Sequence, residues 1–416
     1  MKHVENRVEF TKDMKKDHVI LAPDIFPMHM KLLEKIFGLY GYRVEVLHYQ
    51  GKHVLDTGLQ YVHNDMCYPA ICSIGQQLYA LQCGDYDPHK VALIQFQTGG
   101  GCRASNYIKL LRKALRNMDM EYVPVISLSF TGLEKNSGFK LTPLMLFKGI
   151  MAIVYGDMLM LLRNQTKPYE CNAGETEALV NTWVDRLIAQ FEHNKGLAGK
   201  SVERNLSAIA SDFNNIKRSS ETKTRVGIVG EIYVKYSPFG NNNLERFLEE
   251  QDCEVMVPGV LGFLQYCFHN AVMDYKLYDM GPVVHHISSL AEKIMAKMER
   301  RMINVLSEYP NFVKPSSFKE LTALADSIID RGVKMGEGWL LPAEMVELIE
   351  KGYNNIVCAQ PFGCLPNHIV GKGVIRTLKE MYPYSNVCPI DYDAGATKVN
   401  QENRIKLMIA VAREQN

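Results

Sequence analysis

Residues 225–257, RVGIVGEIYVKYSPFGNNNLERFLEEQDCEVMV, decide the fold. A short apolar run, Val226–Val229, meets Gly230–Glu231 and a loop holding Pro238 and Gly240. Leu244, Phe247 and Leu248 follow at helical spacing, and a second apolar run ends at Val257. Strand, helix and strand in so short a span make a parallel crossover unit. Residues 18–47, HVILAPDIFPMHMKLLEKIFGLYGYRVEVL, repeat the plan. Here Val19–Leu21 is a strand, Pro23–Asp24 a turn and Val44–Leu47 a second strand. Leu32, Leu33, Ile36 and Leu39 give the helix between them one apolar face.

Working outward, Val91–Phe96 and Val123–Leu128 extend the first unit, and Asn355–Val357 and Asn386–Ile390 extend the second. Apolar strands alternating with helices predict an α/β fold: two Rossmann-like lobes with parallel sheets, plus a helical elaboration. The predicted division is a first lobe with a helical extension over 1–195, a polar connection over 196–224 and a second lobe over 225–416. A helical insertion is expected at about 284–332 of that second lobe. Amphipathic stripes such as Leu179, Trp183, Leu187 and Phe191 read as core and receive no chemical role.

Composition excludes several function classes. Lys plus Arg number 47 against 46 Asp plus Glu, so the chain has no global field for gripping a phosphate backbone. Apolar residues at 47% and charged residues at 22% leave enough core material to set wholesale disorder aside. The first residues, MKHVENRVEFTKDMKKDH, lack the apolar centre of a secretory signal. Leu141–Leu162 is the most membrane-like stretch, but Lys148 and Asp157 interrupt it. Each would cost about 2.5–3.5 kcal/mol at the centre of a membrane helix. The stretch reads as a buried helix or a subunit interface, and the protein as cytoplasmic.

Ten cysteines in a reduced compartment are too few for a disulfide scaffold, so position decides which carry chemistry. Ligands of parallel sheets bind where strand ends feed helix starts. Cys102 sits there, in Gly99-Gly100-Gly101-Cys102-Arg103-Ala104-Ser105-Asn106, ahead of a helix predicted over Tyr107–Leu115. Three glycines permit close backbone approach, while a helix start and Arg103 favour a thiolate. A thiolate there is a metal ligand or a nucleophile; the bland reading is a tight turn. Cys67, in His63-Asn64-Asp65-Met66-Cys67-Tyr68-Pro69, lies in a loop before a helix expected near Ile74–Leu81, with Cys72 buried at its start. Cys364 lies in Gln360-Pro361-Phe362-Gly363-Cys364-Leu365-Pro366-Asn367-His368, after the strand that Cys358 closes. Cys358 points into the site or into the core. Cys83, Cys171, Cys253, Cys267 and Cys388 have no such setting and read as structural. No C-x2-C pair exists, which argues against a zinc knuckle or a ferredoxin pattern. Three thiolates from three distant loops still permit an iron–sulfur cluster with an open iron.

The strings HNDMCYPA, QTGGGCRASNY, VGIVGEIYVKYSPFGNNNLERF, GEGWLLPAEMVELI, IVCAQPFGCLPNHIVGKGVIRTLK and IDYDAGATKVNQENRIKLM carry a family resemblance. They resemble proteins related to the 2-hydroxyacyl-CoA dehydratase D component, often fused to BadF/BadG-type acyl-CoA dehydratase activases. The resemblance spans roughly residues 18–412. It implies an iron–sulfur (4Fe-4S) cluster, double-cubane in some relatives, held by three cysteines between Rossmann-like lobes and reduced by an ATP-hydrolysing activase. By motif the metal ligands would be Cys67, Cys102 and Cys364, with Cys358 the alternative to the last. The chain has no activase part of its own, so that partner is expected as a separate chain. A homodimer, or pairing with a homologous subunit, is expected too, with Leu141–Leu162 as a surface for it.

The implied chemistry is anaerobic radical dehydration, or reduction, of a small acyl-CoA-like molecule. Gly99, Gly100, Gly101, Arg103 and Asn106 would face substrate, Glu231 and His368 would be proton donors, and Gly336–Trp339 and Lys372 would line the cleft. Three rivals stand beside this reading. One is a cluster-free enzyme using Cys102 as nucleophile with His63 or His368 as base. Another is a non-catalytic electron-transfer or scaffold partner of an activase. A nucleotide-binding protein ranks last, since no G-x-G-x-x-G follows either first strand.

Overall fold

The computed structural model describes residues 7–63, 65–97, 101–129 and 134–414. Four strands form the first sheet: β1 (Val19–Pro23), β2 (Arg43–Leu47), β3 (Val91–Gln97) and β4 (Val125–Ser129). Four more form the second: β5 (Thr224–Gly230), β6 (Cys253–Met256), β7 (Asn355–Pro361) and β8 (Asn386–Tyr392). The orders are β2-β1-β3-β4 and β6-β5-β7-β8, and every pairing is parallel. The protein is therefore α/β with two Rossmann-like sheets of the same topology. All eight strands fall where the apolar runs placed them. β1 and β6 are buried throughout, as are β5 from Val226 on and nearly all of β7, which is why they read as apolar runs rather than as alternation.

Helices cover both sheets. In chain order, α1 is Pro27–Leu39, α2 Tyr68–Gln82, α3 Tyr107–Asn117 and α4 Pro143–Thr166. Next come α5 (Glu175–Glu192), α6 (Lys200–Asn214), α7 (Ile232–Tyr236), α8 (Leu244–Glu250) and α9 (Val260–Tyr278). Then follow α10 (Pro282–Leu306), α11 (Phe318–Asp326), α12 (Leu340–Glu350) and α13 (Lys398–Glu414).

The membrane-like stretch is α4, a core helix. About two thirds of its most apolar window is buried inside the chain. Thr142 caps it by accepting from the Met145 N–H. Its two interrupting charges are satisfied within the fold. The Lys148 ammonium lies 5.2 Å from the centre of the Tyr40 ring. The Asp157 carboxylate accepts the N–H groups of Val260 and Leu261 at 2.7 and 2.9 Å, holding the start of α9, and also bonds His29. The helix spends most of its apolar surface on its own chain and leaves Leu144 and Leu146 exposed near its start.

Residues 196–224, expected as a polar connection, hold α6, whose Val202, Leu206, Ile209, Ala210 and Phe213 are buried in the core that α4 shares. Six apolar residues among nine polar ones suffice when five of them fall on one buried face. The two sheets also share packing. Ile25, Val54, Tyr68 and Cys72 join one apolar cluster with Tyr233, Val234, Tyr236 and Val260.

Candidate functional site

In parallel sheets of this order, the strand order reverses between the first and third strands, and ligands bind outside the carboxyl ends there. Those reversals lie between β1 and β3 and between β5 and β7. Cys102 follows β3, Glu231 follows β5 and Cys364 follows β7. Cys67 arrives from the β2–β3 crossover as the residue that caps α2.

Cys67 has extended backbone (φ −65°, ψ 146°) and is followed at once by helix, with Pro69 in the first turn where its missing N–H costs nothing. The helix therefore begins six residues earlier than the apolar spacing near Ile74 suggested, and Cys72 lies inside it, fully buried. The Cys67 sulfur is 2.9 Å from the Tyr107 hydroxyl at the start of α3. Burial pushes the Cys67 thiol up to about 11, the Glu231 charge adds to this, and the Tyr107 hydrogen bond opposes it.

Cys102 is half-buried and extended (φ −100°, ψ 170°), and opens a 3₁₀ turn, Arg103–Asn106, before α3 begins. The α-helix starts at Tyr107, where the sequence placed it, and the tighter turn fills the interval from Cys102, with the Ser105 hydroxyl donating to the Cys102 carbonyl at 2.8 Å. Gly101 sits beside the thioether of Met335. Gly99 and Gly100 lie outside the described residues, and Asn106 is exposed.

Cys364 follows a turn that needs glycine, because Gly363 has φ +68°. The Cys364 N–H returns to the Pro361 carbonyl at 3.1 Å, and a π-helical stretch, Asn367–Lys372, comes next. The Asn367 amide donates to the Cys364 sulfur at 3.4 Å. Burial, then the charge of Glu337, raises the Cys364 thiol to about 12. Cys358 differs in kind. It is fully buried within β7, and a Cβ on Gly371 would meet its sulfur at 3.2 Å. Burial lifts its thiol too.

One side chain joins the three loops. The Arg103 guanidinium donates to the Asp65 carbonyl, two residues before Cys67, and to the Gly363 carbonyl at 2.5 Å, one residue before Cys364. Its own neighbour is Cys102. The planar fork of arginine suits two acceptors on different loops. Arg103, read from sequence as a substrate or charge-tempering group, has its fork engaged by the backbone.

Acidic groups line the second lobe's side. The Glu231 carboxylate caps α7, accepting from the N–H groups of Tyr233 and Val234 at 3.0 and 2.9 Å. Burial and the nearby Glu337 nevertheless raise it to about 8. Glu337 accepts from the Ile232 N–H at 2.9 Å and from the Asn367 amide at 2.8 Å, and burial raises it as well. Glu337 sits in the Gly336–Trp339 turn, anchored by the fully buried Trp339. His368 lies 3.2 Å from Asp391, which also accepts from Lys372 at 2.7 Å and Gln360 at 2.8 Å. His63 is on the Cys67 loop, exposed beside Asp65. Sequence reasoning missed Tyr107, Asn367 and Asp391, and gave Glu337 only as part of the Gly336–Trp339 turn. The string IDYD held Asp391, but only the pairing of Gln360 with Asp391 across β7 and β8 shows what Asp391 faces.

Among the described residues, no three His, Cys, Asp or Glu side chains close around a single metal ion. A cluster asks for something else, since its ligand sulfurs stand apart around several irons. Donors to the sulfurs are part of how proteins hold such groups. Thiols from separate loops, two of them already hydrogen-bonded at sulfur by Tyr107 and Asn367, fit that demand. No protein-family model matches the sequence, and no curated protein matches it, so the family resemblance rests on the motifs themselves.

Proposed function

We propose that this chain is a cytoplasmic iron–sulfur protein of the 2-hydroxyacyl-CoA dehydratase kind, with Cys67, Cys102 and Cys364 as cluster ligands. A separate ATP-hydrolysing activase is its electron donor, and a small acyl-CoA-like thioester its substrate. The observation that carries the reading is Arg103, which ties the Cys67 and Cys364 loops to the residue beside Cys102. Cys364 is preferred to Cys358 because it lies on the loop that Arg103 holds, while Cys358 is inside the sheet.

When bound, the cluster supplies low-potential single electrons and an iron with an open position. The chain's residues do the rest. Arg103 fixes the loops, and Tyr107 and Asn367 direct hydrogen bonds at two sulfurs. Glu231, raised to about 8, is protonated at neutral pH and so holds the proton that a departing hydroxide needs to leave as water. Glu337 keeps that proton in place by disfavouring a second negative charge. Asp391 orients His368 as a second donor. The exposed side chains of Met335, Phe362 and Leu365 around the cysteine loops offer apolar contact to an acyl group.

The test is anaerobic. Protein reconstituted with iron and sulfide is mixed with activase, ATP and dithionite and followed by EPR, before and after a 2-hydroxyacyl-CoA is added. ATP-dependent reduction and a changed signal with the thioester are expected. Reduction indifferent to both ATP and thioester would overturn the assignment.

A further inference from the structure

Helices α9 and α10 form a hairpin, turned at Asp279 and Gly281, both in the left-handed region (φ 53° and 64°). The two halves of α10 differ. Its C-terminal half buries Met295, Met298, Met302, Val305 and Leu306 against its own chain. Its N-terminal half turns Val283 (71% exposed), Ile287 (61%), Leu290 (61%) and Ile294 (36%) outward. Large apolar side chains grouped like this mark an interaction surface.

Their spacing says what covers them. The intervals from Val283 to Ile287 to Leu290 to Ile294 are four, three and four residues. That is the seam of a helix that packs knobs-into-holes against another helix. The spacing also reads the same in both directions. We infer that the seam is covered by the same seam of a second copy of this chain, crossing antiparallel about a two-fold axis between Ser288 and Ser289. Val283 then meets Ile294, Ile287 meets Leu290, and the two hairpins make a four-helix bundle. A two-fold interface requires such a self-complementary patch.

The flanking charges agree. In this register His286 comes beside Ala291, and Lys293 beside Val284, so no like charges face each other. Lys297 comes to the turn at Asp279 and Met280 of the second copy. Neither Lys297 nor Asp279 has an ion-pair partner within the described residues. They cannot pair within one chain, since Lys297 lies fifteen residues beyond Pro282, about 22 Å along the helix. The inference is independent of any cluster.

Full-length protein examined by size-exclusion chromatography with light scattering should run at twice 47.2 kDa. Ile287→Glu with Leu290→Glu should raise the dissociation constant more than about thirtyfold, with the far-ultraviolet circular dichroism unchanged. Lys297→Glu alone should weaken pairing about three- to fivefold, and adding Asp279→Lys should restore it. Restoration requires contact between copies, so it separates this register from nonspecific association. A monomeric wild type, a dimer indifferent to the double glutamate variant, failure of the charge swap, or flotation with lipid vesicles in place of pairing would each overturn the inference.

Discussion

The two sheets share one strand order and close their reversal points by different means. In the first, a side chain spans the gap: the Gln77 amide of α2 donates to the carbonyls of Leu21 on β1 and Ile94 on β3, at 3.4 and 2.8 Å. In the second, backbone meets backbone. Gly230 has φ +146°, and a Cβ there would lie 1.8 Å from the Ala359 carbonyl, which accepts the Glu231 N–H. Only glycine permits that approach. The chemistry divides the same way. The first lobe supplies two thiols, Cys67 and Cys102; the second supplies Cys364 and the carboxyls of Glu231, Glu337 and Asp391. Topology fixes where a ligand goes, and the residues just past each strand end fix what kind of ligand it is.

The second lobe also buries a lysine–glutamate pair, which gives the largest predicted effect. Lys235 and Glu344 are both almost fully buried, bonded at 2.9 and 3.0 Å. Glu344→Ala leaves an uncompensated ammonium and should cost about 3–5 kcal/mol in urea unfolding, whereas Lys235→Met with Glu344→Leu should be near neutral. A severe loss in the double variant as well would mean the pair does more than satisfy itself.

Next in size is the link between lobes. Arg103→Ala should at least halve the iron retained after reconstitution, and Arg103→Lys should not rescue it, because one ammonium cannot reproduce the fork. Full retention in both would reduce Arg103 to a surface residue.

Much of this site was legible from residues, and the limits are physical. Eight strands were readable because buried parallel strands are continuous apolar runs. Cys102, Cys364 and Glu231 were readable because each follows such a run directly. The bonding roles of Tyr107, Glu337 and Asp391 were not, since their partners are 40, 30 and 23 residues away at Cys67, Asn367 and His368. The early start of α2 was hidden by Pro69, which marks a loop in sequence yet is welcome in a first helical turn. The role of α4 was half legible: Lys148 and Asp157 argued against lipid, but only the N–H groups of α9 explain why an aspartate is buried there.

The pH dependence sharpens the contrast further. Glu299, held between α9 and α11, is raised to about 7, mainly by burial. A carboxyl raised in the folded state binds its proton more tightly there than when unfolded. Stability from it is therefore present below about 4.5 and lost as pH rises through about 7. Thermal melts should fall between pH 5 and 8, and Glu299→Gln should remove about 1–3 kcal/mol of that slope. An unchanged slope would place the group in water. The smallest effect is Tyr107→Phe, which should lower the cluster's reduction potential by removing a donor to the Cys67 sulfur, with iron content unchanged.

The decisive measurement is iron and acid-labile sulfide per chain after anaerobic purification. It should be made on the wild type and on Cys67→Ala, Cys102→Ala, Cys358→Ala and Cys364→Ala. About four irons are expected in the wild type and in Cys358→Ala, and little in the other three. A wild type without iron after reconstitution, or iron lost with Cys358 and kept without Cys364, would contradict the proposed ligand set.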